Sequence, residues 1–177
     1  MTKPSTPPSP RRGSACDFDF FVGSWTIQHR RLKERLMGCQ EWEAFQGRSV
    51  MHKLMGGHAN VDDNVIHLPA GDYRALTLRS FDADTGLWSI WWLDGRHPGR
   101  LDAPMVGGFQ DGQGVFFADD TLRGQAIRVR FVWTTRSELG LPRWEQAFSA
   151  DGGQSWEVNW VMDFQRADTE QAPSPCL

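Results

Sequence analysis

Apolar and polar residues alternate most regularly near the end of the chain, in two runs that flank an Asp-Gly-Gly turn. Alternation with a period of two around such a turn predicts a β-hairpin with one face against a core. The second run keeps this pattern long enough for a strand that crosses a whole barrel or sandwich. One parity of the hairpin carries Trp144, Gln146, Phe148, Trp156, Val158, Trp160, Met162 and Phe164.

The same period recurs along the rest of the chain and predicts about ten strands in total. Gly and Asp residues separate the segments, so consecutive strands are expected to be antiparallel neighbours. Such a meander must close on itself to hide its edges, and we therefore predict an all-β fold, a single antiparallel β-barrel. Upstream of the hairpin, the predicted strands begin near Trp25 and continue with residues 41–45, 48–55, 65–68, 73–81, 87–93, 106–110, 114–119 and 125–135.

Two segments follow the strand pattern less plainly. Residues 30–37 either continue the first strand or form a short helix, because Leu32 and Leu36 are four positions apart. Gly38 follows where a helix often ends, and both alternatives stay open. Residues 56–64 are the most polar internal segment, rich in Gly, Asn, Asp and His. We expect a loop there that acts as a lid.

Residues 87–93 are apolar on both faces of their predicted strand. One face carries Trp88, Ile90 and Trp92, and the other carries Leu87, Ser89, Trp91 and Leu93. A strand that is apolar on both sides is covered on both, by the core on one side and by a helix, a loop or a partner subunit on the other.

Length and composition fit one domain. A chain of 177 residues can bury a single sizeable core. Residues 1–15 and 167–177 lack the apolar surface to offset their ordering entropy, so we expect two disordered tails around a barrel domain of residues 16–166. Nine Trp and eleven Phe against one Tyr can fill a wide core and line an apolar pocket.

Charge and cysteine content argue against several classes of partner. The formal net charge is −3, with both signs interspersed, so no basic face predicts nucleic-acid binding. The chain shows neither a complete signal sequence nor a long apolar run, and we expect no membrane association and a cytoplasmic location. The scattered Cys16, Cys39 and Cys176 imply neither a disulfide framework nor a Cys-x-x-Cys metal site.

The tripeptide Gly23-Ser24-Trp25 at the start of the first predicted strand resembles the Gly-x-Trp signature of lipocalins and their calycin relatives. In those barrels an Arg at the end of the last strand lies across the indole, and Arg166 has the corresponding place here. The resemblance implies a calycin-like barrel whose closed end is plugged by a cation–π contact between Trp25 and Arg166.

Residues 16–166 are also similar to a bacterial family of Trp-rich, calycin-like proteins of unknown function. The similarity rests on Gly-Ser-Trp, on Trp-Glu-Gln-Ala-Phe-Ser at 144–149 and on Asp-Gly-Gly-Gln-Ser-Trp-Glu at 151–157. In outline the chain further resembles nitrobindin-like ten-stranded barrels, which bind heme iron through a His near the end of the chain. Because no His follows His97, we predict neither heme nor another cofactor.

Residues 149–156 resemble the Asp box, Ser-x-Asp-x-Gly-x-x-Trp, of propeller hydrolases. In that motif the Asp carboxylate caps the backbone amides of a turn and the Trp packs beneath it, so it implies a turn and no chemistry. A propeller needs several copies at a regular period. The nearest second copy, at residues 80–88, is one residue longer and stands alone, and we reject that fold.

Histidines and aspartates in the first half of the chain invite a test for a metal site. The candidates are His52, His58, Asp62, Asp63 and His67. Their spacing matches no zinc or non-heme iron signature, so we predict no metal.

His29 is the strongest single candidate for chemistry. It shares a strand face with Trp25, Ile27 and Arg31, so it enters the lumen if Trp25 does. His29 as general acid or base, with Arg31 stabilising an anionic intermediate, would make the barrel an enzyme. A hydrogen-bonded structural His29 would carry no chemistry. The polar residues expected to face solvent are Arg128, Arg130, Glu145, Glu157 and Asn159.

We predict that the lumen receives one small apolar or aromatic molecule. The residues expected to line it are Trp25, Ile27, Trp92, Phe131, Trp133, Trp144 and Trp160. Two alternatives remain. One is a barrel enzyme of the isomerase, decarboxylase or hydratase type that uses His29. The other is a homodimeric interaction module that buries the outer face of residues 87–93.

Overall fold

The computed structural model of the protein describes residues 13–138 and 140–167. Within these residues, ten strands and two one-turn 3₁₀-helices, Asp19–Phe21 and Met55–Gly57, form the regular structure. The predictions for the tails fall mostly outside the described residues, as does Cys176, whereas Cys16 and Cys39 are free thiols. The strands are β1 (Gly23–Leu32), β2 (Trp42–Leu54), β3 (Ala59–Leu68), β4 (Gly71–Asp82), β5 (Leu87–Asp94), β6 (Met105–Gln110), β7 (Gln113–Leu122), β8 (Gln125–Thr134), β9 (Arg143–Ser149) and β10 (Glu157–Arg166).

The ten strands form one closed antiparallel barrel. Each strand pairs with its neighbour in sequence, and β10 pairs with β1 to close the sheet. Trp25 on β1 lies opposite Arg166 on β10 in this closing register. Closure pairs the backbone of the outermost strands and so removes the edges of the meander. The predicted all-β class and the antiparallel barrel of about ten strands are confirmed.

The first two strands differ from their prediction in two places. β1 ends at Leu32, and residues 33–41 form a loop, so only the start of the ambiguous segment 30–37 is strand and the rest is neither strand nor helix. β2 runs through Gly47 as one strand where two were predicted. A Cβ at this position would lie 2.5 Å from Nε2 of His29. Gly47 therefore marks a close approach inside a strand.

The polar segment 56–64 is not a lid. Met55–Gly57 form a single 3₁₀ turn, and residues 59–64 belong to β3, which pairs with β2 and β4 over its length. Asn60, Asp62 and Asn64 alternate along this strand and are buried, whereas Asp63 is exposed. The polar residues thus follow the strand period, with their buried members inside the barrel.

An irregularity in β10 divides the face that the last hairpin was predicted to share. The pairing of β9 with β10 shifts by one residue between Val158 and Trp160. Trp160 and the inward residues after it keep the lumen side, whereas Trp156 packs outside against Phe117 and beneath Arg130. The prediction of one shared face is therefore wrong for Trp156 and Val158, because a β-bulge inverts the parity of the residues before it.

Two residues of β10 that were expected to face solvent do not. Asn159, at the register shift, is fully buried and accepts a hydrogen bond from Nε2 of Gln146 at 2.8 Å. Glu157 pairs opposite Phe148, and its carboxylate accepts the amide N–H of Leu36 at 2.8 Å. The bulge explains both corrections, because it turns this part of the strand relative to β9.

Aromatic side chains from the N-terminal segment close one end of the barrel. Phe18 and Phe21 are buried, and the Phe21 ring stacks on Trp25 with centroids 5.3 Å apart. The Arg166 guanidinium lies 4.0 Å from the centre of the Trp25 ring, as the resemblance to calycins implied. It also donates hydrogen bonds to the carbonyl oxygens of Phe20, at 3.1 Å, and Val22.

The outer surface of the barrel carries apolar residues on β4 and β5. Trp88, Ile90 and Trp92 point inward as one face of β5, and Trp88 is 0% exposed. On the other face, Trp91 pairs with Leu78 of β4 and is half-buried.

Among the described residues, no helix is long and apolar enough to cross a bilayer.

Candidate ligand-binding cavity

Phe18, Phe21 and Trp25, which close one end of the barrel, are called the aromatic plug below. A cavity of about 280 Å³ occupies the barrel between this plug and the opposite end. This volume lies just below the range found for ligand pockets, which begins at about 300 Å³. Inward residues of most strands line the cavity, and Phe21 contributes to its floor. The lining is not uniform, because aromatic and polar side chains occupy different parts of the wall.

The aromatic wall is formed by β8, β9 and β10. Trp133 and Trp144 are cross-strand partners, so both rings project from the same side of the sheet. Trp144 meets Phe131 with centroids 4.7 Å apart and Trp160 edge to face at 5.8 Å. Trp92 on β5 adds a further ring to the lining. Interlocked rings of this kind hold one another in place and present a rigid apolar surface.

The polar wall is formed by β3 and β4. Arg79 forms an ion pair with Asp62, and both side chains are 3% exposed. Nη1 of Arg79 also donates to Oδ1 of Asn60 at 2.9 Å. Asn64 donates through Nδ2 to Asp62 Oδ2 at 3.1 Å and to Thr77 Oγ1 at 3.3 Å. A buried ion pair that is enclosed by further hydrogen bonds keeps both charges compensated.

The Arg79 guanidinium connects the polar wall to the aromatic plug. Its central carbon lies 4.9 Å from the ring centre of Phe18, 5.5 Å from that of Phe21 and 5.6 Å from that of Trp133. The faces of these rings offer a negative surface to the cation. The plug and the polar wall therefore form one packed unit at the floor of the cavity.

The polar wall was missed by sequence reasoning, although the chain contains a signal for it. Asn60, Asp62 and Asn64 alternate with Val61 and Val65, which is a strand pattern with its polar parity inside. The segment's polar composition, taken alone, predicts a loop. A buried Arg of the same parity on the neighbouring strand completes the pattern, but only the pairing of β3 with β4 brings Arg79 opposite Asn60.

His29 lies between the two walls. Its Nδ1 accepts a hydrogen bond from Nε1 of Trp160 at 3.2 Å, and its ring stacks on Phe45 with centroids 4.7 Å apart. Because Nδ1 is the acceptor, the neutral ring carries its proton on Nε2. This Nε2 is buried and has no hydrogen-bond partner among the described residues. Part of the His29 ring lies over Gly47.

The surroundings of His29 and Arg31 do not favour acid–base catalysis near neutral pH. Burial, together with the nearby charge of Arg31, lowers the pKa of His29 to about 3. A general base works best when its pKa lies near the working pH. Arg31 forms an ion pair with Glu43, and its guanidinium also lies 5.4 Å from the ring centres of Phe45 and Trp160. His29 is therefore neutral near pH 7, and the charge of Arg31 is already paired.

Five of the seven residues predicted to bind a ligand line the cavity, and two do not. Trp25 and Ile27 are buried in the core that also contains Phe21 and Phe164. Their strand face was predicted correctly, but the plug fills this end of the lumen, and its Phe21 separates Trp25 from the open space. The five lining residues are Trp92, Phe131, Trp133, Trp144 and Trp160.

The His and Asp residues that were tested as metal ligands are dispersed by the fold. Asp62 faces Arg79 inside the barrel, Asp63 pairs with Arg74 and His67 pairs with Asp72. No group of three or more His, Cys, Asp or Glu side chains that could hold a metal ion is present within residues 13–138 and 140–167.

The Asp box forms a turn, as its motif implied. The Asp151 carboxylate accepts the amide N–H groups of Gln154 and Ser155, both at 2.9 Å. Hydrogen bonds from Ser155 and Ser149 hold the pKa of Asp151 well below its usual range. Nε1 of Trp156 donates to the Gly153 carbonyl oxygen at 3.0 Å. The turn lies on the outside of the barrel, away from the cavity.

No known family model matches the sequence, and no curated protein matches it either. The closed ten-stranded barrel is compatible with a calycin-like fold.

Proposed function

We propose that this barrel binds one small apolar or aromatic molecule in its lumen. The observation that carries the proposal is the cavity of about 280 Å³ with its wall of interlocked aromatic rings. Apolar pockets with a few placed polar groups are the usual form of small-molecule sites. The Gly23-Ser24-Trp25 motif and the contact of Arg166 with Trp25 support a calycin-like relationship, which is part of the same proposal.

A variant that fills the lumen tests the proposal. Purified protein is first extracted and the extract analysed by mass spectrometry for a retained small molecule. Aromatic hydrocarbons, terpenoids and fatty acids are then titrated while Trp fluorescence is followed. Thr77 lines the cavity, so Thr77→Phe should weaken binding of any ligand found by at least about tenfold, at a stability cost of about 1–3 kcal/mol.

The next residue on β4 provides a matched control. Leu78 faces outward beside Trp91, so Leu78→Phe places the same new side chain on the same strand without entering the lumen. It should leave ligand affinity unchanged. If the screen finds no ligand, or if both variants bind as the wild type does, the lumen is not the binding site.

A second candidate function is homodimerisation through the outer face of β4 and β5. Leu76 pairs with Leu93 and Leu78 with Trp91 across these strands, and this surface is continuous with exposed Leu87. Contiguous exposed apolar surface is typical of protein interfaces. A dimer in sedimentation that Trp91→Glu dissociates would support it. Trp42→Glu, at an exposed Trp on β2, serves as the control.

A further inference from the structure

The buried formal charges in the wall of the cavity cancel, because Arg79 is paired with Asp62. Arg31, beside the lining residue Trp160, is likewise paired with Glu43. His29 is neutral near pH 7, because burial and the charge of Arg31 lower its pKa to about 3. A ligand that brings its own charge into this low-dielectric space would lose hydration without gaining a free counter-charge.

Among the described residues, three buried nitrogens in or beside the wall of the lumen are unpaired hydrogen-bond donors: two belong to the lining residues Arg79 and His29, and one belongs to Asn159, which bonds to the lining residue Gln146. Oγ of Ser49 is also buried and unpaired there. Nε of Arg79, Nε2 of His29 and Nδ2 of Asn159 are buried, and none of them has a partner within the described part of the chain. Each of these nitrogens carries a proton, given that Nδ1 of His29 and Oδ1 of Asn159 both act as acceptors. A buried donor without an acceptor is costly, so the wall is complementary to a ligand that supplies acceptor atoms.

Two carboxylates also line the cavity, on its β5–β6 and β7 side. They belong to Asp102 and Asp120, both of which are exposed. Partial burial and then the nearby charge of Asp120 raise the pKa of Asp102. Negative charge at the entrance lowers the local concentration of anionic molecules. These two carboxylates therefore disfavour anionic ligands, as the paired charges of the interior also do.

We propose that the ligand is a neutral aromatic molecule that carries a hydrogen-bond-accepting oxygen, such as an aromatic ketone, and not a carboxylate, an ammonium compound or a plain hydrocarbon. This inference rests on the proposed binding function. The aromatic wall holds the ring, and the unpaired N–H of Arg79 on the polar wall, or that of His29 beside it, donates to the oxygen. An ammonium group would bring further donors to the buried part of the wall, where Arg79 and His29 already have unpaired N–H groups, and a hydrocarbon would leave these donors unpaired.

Four probes with the same bicyclic ring separate these possibilities. They are 2-acetylnaphthalene, 2-ethylnaphthalene, 2-naphthoate and 1-(2-naphthyl)ethylamine, and their affinities are measured by equilibrium dialysis with the full chain near neutral pH. The ketone should bind at least about tenfold more tightly than each of the other three. Equal binding of ketone and hydrocarbon, or tighter binding of either ion, would overturn the inference while leaving the binding function in place. If none of the four binds, this inference fails, and the wider screen of aromatic hydrocarbons, terpenoids and fatty acids decides the binding proposal.

A variant that changes the charge inside the barrel provides a second test of the inference. Asp62→Asn keeps the shape of the side chain and leaves Arg79 without its counter-charge, so the lumen gains one net positive charge. The affinity for 2-naphthoate relative to the ketone should then rise by at least about tenfold. Asp63→Asn removes the same charge from the outer face of the same strand, where Asp63 pairs with the exposed Arg74. It should change this ratio by less than about twofold.

The ranking of probes and the charge variant test the inference independently. Circular dichroism shows whether Asp62→Asn is folded, and the ranking of probes on the wild type decides the inference if the variant is not. An unchanged ratio in a folded Asp62→Asn variant would contradict the role given to the Arg79–Asp62 pair. An increase in both Asp→Asn variants would assign the effect to overall charge and would also contradict it.

Discussion

The two walls of the cavity are built by the same alternation of side chains, yet they place opposite chemistry inside. On β8 the apolar parity, with Phe131 and Trp133, faces the lumen, while Arg128 and Arg130 lie outside against Phe117 and Trp156. On β4 the parity of Leu76 and Leu78 faces outward, and Thr77 and Arg79 face the lumen. Hydrophobic periodicity therefore locates a strand but identifies its inner face only where the interior is apolar.

The walls should also respond differently to mutation. Ring contacts on the aromatic wall are numerous and individually small, so the loss of one leaves the others in place. The polar wall depends on complete pairing, because a buried charge that loses its partner retains its whole desolvation penalty. We therefore expect mutations in the aromatic wall to cost less stability than mutations that break pairs in the polar wall.

The largest expected effect comes from breaking the ion pair of the polar wall. Arg79→Leu leaves Asp62 buried without its counter-charge and also removes the donor to Asn60. We expect the free energy of unfolding to fall by about 3–5 kcal/mol. Urea denaturation, followed by Trp fluorescence near neutral pH, measures the change.

Two further variants complete this comparison. Phe131→Leu truncates a ring of the aromatic wall that contacts Trp144, and it should cost only about 1–2 kcal/mol. Asp62→Leu combined with Arg79→Leu removes both charges and should recover much of the stability lost in the single variant. Equal costs for Arg79→Leu and Phe131→Leu would remove the distinction between the walls.

His29, at the junction of the two walls, should make stability depend on pH. Its pKa falls to about 3 in the folded protein, chiefly because it is buried. Between about pH 6.5 and this value, the unfolded chain binds a proton at His29 that the folded protein does not. Stability from this group is therefore lost as the pH falls, by roughly 1.4 kcal/mol per pH unit at most and by about 2 kcal/mol at about pH 5.

Denaturation of His29→Gln at about pH 7 and about pH 5 tests this dependence. Gln retains an acceptor for the Trp160 N–H but does not titrate, so its stability should fall less between the two pH values. The exposed His52→Gln serves as the control and should keep the wild-type pH dependence. If His29→Gln loses as much stability as the wild type on acidification, the buried neutral state of His29 is wrong.

The residues of the aromatic wall could be predicted from the sequence, whereas those of the polar wall could not. Alternating Trp and Phe residues identified the barrel and five lining residues of the cavity, because burial of large rings dominates those strands. Asn60, Asp62, Asn64 and Arg79 were missed, because polar residues resemble a loop until their partner on the adjacent strand is known. The bulge at Asn159 was also missed, since it changes the register of pairing without any glycine or break in the apolar pattern.

A small effect, of the size expected for Phe131→Leu, is expected at the closed end, where Arg166 provides a comparison with Arg79. Both guanidinium groups lie over aromatic rings, but Arg79 is buried and charge-paired whereas Arg166 is exposed and bonded to backbone carbonyls. Arg166→Ala should lower the free energy of unfolding by about 1–2 kcal/mol, through loss of the contact with Trp25 and of these hydrogen bonds. Arg166→Lys keeps the charge without the planar fork and should give an intermediate loss. Thermal unfolding curves of both variants measure the effect, and a curve for Arg166→Ala that matches the wild type would show that the exposed guanidinium does not stabilise the closed end.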